Sequence, residues 1–173
     1  DLKGKKVLLR GNHDYWWNTI GQVRRLLPEG FYAVQNDCLR FGNVLLCGSR
    51  GWTCPDPVLG EKDDKIYRRE AQRLKLSLQA MSECRKEGDC VICMMHFPPF
   101  NVRREDSLFT ELLIRYDVKT VVYGHLHGKD CRADLKVRRS GIDFYLVSTD
   151  LVGHKLTEIA EVEGGSPSET AGE

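Results

Sequence analysis

Lys5-Lys6-Val7-Leu8-Leu9-Arg10-Gly11-Asn12-His13-Asp14 is the stretch that decides the fold. Its apolar run, flanked by basic residues, reads as a short buried strand over residues 5–10 that ends at a glycine and three polar side chains. Shortly beyond, Asn18 precedes an apolar set at Ile20, Val23, Leu26 and Leu27, which reads as a capped amphipathic helix stopped by Pro28. Strand followed by helix is one step of an α/β chain, and such folds build their sites beyond the carboxyl ends of strands.

The same arrangement recurs twice. Val91-Ile92-Cys93-Met94-Met95 runs into His96, and Val121-Val122-Tyr123 runs into Gly124-His125-Leu126-His127-Gly128, so four of the five histidines fall in three islands that follow apolar runs. Between these islands, short strands are expected at residues 33–35, 38–41 and 44–47, the last two joined as a hairpin at Gly42-Asn43. A long helix is expected over residues 63–86, where Tyr67, Ala71, Leu74, Leu78 and Met81 recur at spacings of four and three; its charge elsewhere favours a helix lying on a sheet over a coiled coil. A helix near 107–115 and strands near 119–123 and 144–147 complete the alternation. The reading is one domain over residues 1–162, with a polar tail at 163–173 that lacks the apolar residues to pack and is expected to be disordered.

Composition narrows the function classes. Lys and Arg number 26 against 25 Asp and Glu, a net charge of +1, which gives no reason to expect nucleic-acid or membrane-surface binding. No apolar run approaches the roughly 20 residues needed to cross a bilayer. Seven cysteines, an odd number scattered through strand-like and helical stretches, point to free thiols and a cytoplasmic location. Cys90-x-x-Cys93 lies inside an apolar run with no second pair at zinc-ribbon spacing, so it reads as buried small side chains.

The islands carry the chemistry. In an extended segment His125 and His127 would share a face while Leu126 turns to the core, and two neutral imidazoles on one face make half of a metal site. Asn12 offers an amide oxygen, His13 an imidazole able to move a proton, and Asp14 a carboxylate able to orient it. His96 is expected to join them, because strand-end residues converge on one sheet edge in an α/β arrangement. Trp16, Trp17 and Trp52 could line a pocket, with core packing the preferred reading for at least two. Among the loop arginines Arg50, Arg103 and Arg104, Arg50 is the candidate for gripping phosphate oxygens. His154 reads as a surface residue.

Gly-Asn-His-Asp, a lone His and Gly-His-x-His, in this order, resemble the later motifs of the calcineurin-like metallophosphoesterases, over residue 5 to about 152; Tyr15-Trp16-Trp17 and Ser49-Arg50-Gly51-Trp52 resemble a bacterial subgroup of predicted phosphohydrolases. The resemblance implies a two-sheet sandwich flanked by helices, a four-layer α/β/β/α fold here lacking its first strands and helix. It also implies hydrolysis of a phosphomonoester or phosphodiester with two divalent ions, manganese, iron or zinc. Asn12, His96 and His125 would ligate one ion and His127 the other, while His13, paired with Asp14, would protonate the leaving oxygen.

The family's upstream Asp-x-His and Gly-Asp-x-x-Asp motifs are not found in this sequence. The expectation is therefore a portion of a longer enzyme, nearly inactive as these 173 residues alone. A non-catalytic module built on the same fold is the alternative. A single-metal peptidase-like site is disfavoured, since no His-Glu-x-x-His is present.

Overall fold

The computed structural model describes residues 3–56 and 63–162. Eleven elements follow one another: β1 (Lys6–Leu9), α1 (Ile20–Leu26), β2 (Phe31–Val34), β3 (Cys38–Phe41), β4 (Val44–Ser49), α2 (Asp64–Cys84), β5 (Cys90–Met95), α3 (Leu108–Arg115), β6 (Thr120–Tyr123), β7 (Lys136–Arg139) and β8 (Ile142–Leu146). They form a parallel pair, β1-β2, and a six-stranded sheet in the order β3-β4-β5-β6-β8-β7, in which β3 and β7 are antiparallel edges. The chain is thus the expected α/β protein with two sheets and helices, and β2 touches β4 where the sheets meet.

Local chemistry explains the boundaries. Thr19, not Asn18, caps α1, its hydroxyl accepting from the Gln22 N–H at 3.3 Å. Ser107 caps α3 in a reciprocal box with Thr110, and its own hydroxyl donates to the Pro99 carbonyl at 2.5 Å. The stripe anticipated on α2 is buried in full: Tyr67, Ala71, Leu74, Leu78 and Met81 face the sheet and α3 rather than a second coiled-coil strand. A separate small cluster of Trp17, Val23 and Ala33 holds α1 against β1 and β2. Trp17 is core and Trp52 packs against the larger core, whereas Trp16 is exposed. Strand β7 is not legible in Lys136-Val137-Arg138-Arg139, which has one apolar residue; it forms as an edge whose Val137 is buried while Lys136 and Arg138 face solvent. The expected disordered tail lies outside the described residues.

One glycine permits the closest approach in the sheet. At Gly48 in β4 a Cβ would stand 1.9 Å from the Met94 carbonyl oxygen of β5, while its N–H donates to the Ser77 hydroxyl of α2 at 2.8 Å. Only a residue without a side chain fits between strand and helix there. Gly48→Ala should therefore destabilise by about 3 kcal/mol or more, read from chemical denaturation, and a change within about 0.5 kcal/mol would contradict this packing.

Candidate metal and phosphate site

The parallel register of the six-stranded sheet sets Ser49 beside Met95 and Met95 beside Tyr123, so the residues that follow these strands lie side by side. Arg50, His96 and Gly124 are those residues. The main chain continues the pairing past the strands: the His96 and Phe97 N–H groups donate to the Arg50 carbonyl at 3.2 and 2.9 Å, and the Gly124 N–H donates to the His96 carbonyl at 3.2 Å. The turn after β1, in the other sheet, faces this row, so the site lies where two sheets meet rather than along one edge.

Three of the anticipated residues come together. His96 Nε2 is 2.7 Å from Asn12 Oδ1 and 3.2 Å from His125 Nδ1. One imidazole nitrogen carries either a proton or a lone pair. If protonated it satisfies Asn12, and if bare it can accept from His125 but sets its lone pair against the amide oxygen. A cation held by all three atoms removes that conflict, and this donor set of one amide oxygen and two imidazole nitrogens suits a borderline divalent metal. Burial, then the neighbouring His125, pulls the His96 imidazole down to about 4 against the opposing pull of Asp14, so the ring is neutral at pH 7. His125 is shifted down as well, by burial first and then by His127 and His13. Among the described residues, no three His, Cys, Asp or Glu side chains form a metal cage; the trio depends on the amide of Asn12.

The segment carrying His125 and His127 is not extended as expected. His125 has φ of +67°, a left-handed conformation that costs a residue with a Cβ about 1–2 kcal/mol. The turn is held by Leu126 N–H to the Gly124 carbonyl at 2.8 Å and by Gly128 N–H to the Asp150 carboxylate at 2.7 Å. Leu126 packs against the core, and His127 is exposed. Asp150 was not singled out from the sequence; it follows β8, the next strand in the sheet after β6, and the only sequence signal for it was that position. The Gly128 N–H keeps its carboxyl below the usual range.

Asp14 serves the turn rather than His13. Its two oxygens accept from the Gly11 N–H at 2.6 Å and from the Trp16 indole at 3.1 Å, and among the described hydrogen bonds none joins it to His13. The exposed His13 ring stands edge-on to Tyr15, 6.1 Å between centroids. The turn is tight, since a Cβ on Gly11 would meet both Asp14 and the His96 ring at 3.3 Å.

Arg50 is less free to grip phosphate than expected. Its guanidinium donates to Glu70 of α2 at 2.9 Å and lies over the Trp52 ring, 4.7 Å from the centroid, while its Nε is buried without a partner. Glu70, 1% exposed, also accepts from Arg73 at 2.8 Å. Arg103 and Arg104 are occupied by Glu105 and Asp134.

A family model for calcineurin-like phosphoesterases matches residues 1–129 of the 173. The chain belongs to the calcineurin-like phosphoesterase family, a family of phosphoester hydrolases that generally use divalent metal ions. No curated protein and no solved structure matches it. Among the described residues no helix is long and apolar enough to cross a membrane.

Glu70, itself fully buried, is held by the largely buried Arg50 and the half-exposed Arg73, and Arg50 would lose its carboxylate partner without it. Glu70→Ala should destabilise by about 3–5 kcal/mol in urea denaturation, and a loss below about 1 kcal/mol would contradict the role given to this carboxylate.

Proposed function

We propose that this protein hydrolyses a phosphomonoester or phosphodiester at a dinuclear metal centre, with Asn12, His96 and His125 holding one ion and His127 contributing to the second. The observation that carries the reading is the convergence of Asn12 Oδ1, His96 Nε2 and His125 Nδ1 from two sheets and three separate parts of the chain. Family membership supports the reaction class. Divalent ions bound there supply Lewis-acid polarisation of the phosphoryl group and activation of the attacking water.

The chain's own residues do the rest. The neutral His96 offers a lone pair without adding charge, and burial shifts His125 in the same direction. His13, beside Asn12 and exposed, is the proton donor to the leaving oxygen. Asp14 acts one step removed, by fixing the turn that presents Asn12 and His13. Arg50, anchored by Glu70, adds fixed positive charge beside His96. The second ion and a carboxylate bridging the pair require ligands beyond this imidazole and amide set. Cytoplasmic location belongs to this proposal, on the strength of seven free cysteines.

Two variants separate the roles. In the complete protein, His125→Ala should lose bound manganese in elemental analysis, whereas His13→Ala should keep it and slow phosphate-ester turnover by about 10²–10⁴-fold. Loss of metal in the His13 variant would overturn its assignment as proton donor. Stripping the protein with a chelator should abolish turnover and readdition of manganese should restore it; metal-independent turnover would contradict the proposal.

A further inference from the structure

A mainly apolar cavity of about 180 Å³ opens against the imidazole cluster, and His125 is one of its walls. Phe97, Pro98, Phe100, Val102 and Leu126 supply the apolar lining. The Phe97 ring is stacked on His125, 3.9 Å between centroids and 33° from parallel, so the side chain that flanks His96 on one side is part of an aromatic wall on the other.

From this geometry we propose that the cavity is the subsite for the organic substituent of the phosphoester, and that it selects a compact aromatic or branched apolar group. The proposal rests on the phosphoester-hydrolase reading above and adds the substrate class to it. Three observations choose the occupant. Continuity is the first: a phosphoryl group at His96 and His125 lies beside the wall that His125 forms. Size is the second, since a cavity of about 150 Å³ holds one benzene ring, so about 180 Å³ admits a single ring. Polarity is the third. Among the described lining residues the side chains are mainly apolar, so the substituent is itself mainly apolar. A larger neighbouring hollow of about 360 Å³ shares Pro98, Phe100, Asn101, Val102 and Leu126 but is not lined by His125, which leaves the smaller cavity as the one joined to the chemistry.

Val102 provides the test, because it is 89% exposed at the mouth and its replacement does not disturb the core. Binding of phenylphosphonate and of methylphosphonate, neither of which can be hydrolysed as an ester, is measured by titration calorimetry with manganese present. Phenylphosphonate should bind about tenfold or more tightly than methylphosphonate, and Val102→Glu should remove most of that preference. Equal affinity for the two phosphonates would overturn the subsite while leaving the hydrolase reading intact. So would a Val102→Glu variant that weakens both equally. Failure of both phosphonates to bind would overturn the subsite and the hydrolase reading together.

Discussion

The structure depends on the register of three parallel strands. β4, β5 and β6 are aligned so that Ser49, Met95 and Tyr123 lie abreast, and the hydrogen bonds continue one residue further, through the Arg50 and His96 carbonyls. A slip of one residue would turn His96 to the opposite face and bury a methionine position in its place. The register is itself held by the core: Leu45, Cys47, Val91, Cys93 and Val121 are all buried against α2 and α3, so the alternation that packs the sheet also positions the imidazoles.

Electrostatics at the site works by keeping imidazoles uncharged and cations tied down. His96 and His125 are lowered chiefly by burial and then by neighbouring imidazoles, His125 acting on His96 and His127 and His13 acting on His125, which favours lone-pair donation over charge. Positive charge is supplied instead by Arg50, whose position is fixed by Glu70 and by the face of Trp52. The left-handed backbone at His125 concentrates strain in the one turn that carries two histidines, and the Asp150 carboxylate secures its far end.

Much of this was legible in the sequence. The apolar runs before Gly11, His96 and Gly124 identify buried strands, and in an α/β chain their carboxyl ends gather, so the joining of Asn12, His96 and His125 follows from pattern and topology together. The α2 stripe and the Ser107 start of α3 are equally direct. What was not legible depended on tertiary contacts. Asp14 reads as a partner for His13, yet it accepts from the Gly11 N–H and the Trp16 indole instead. His125 and His127 read as sharing a face, yet the chain turns left-handed between strand and loop. Arg50 reads as a free cation because Glu70, twenty positions away on a helix, gives no local sign of meeting it.

The central claim is that an amide and two imidazoles from separate strand ends share one cation. Anomalous diffraction from crystals of the manganese-loaded protein tests it most directly. The account predicts a manganese peak in contact with Asn12, His96 and His125 together, at about 2.0–2.3 Å from each donor. Manganese bound elsewhere, with the Asn12–His96 contact unchanged and no peak beside it, would contradict the account.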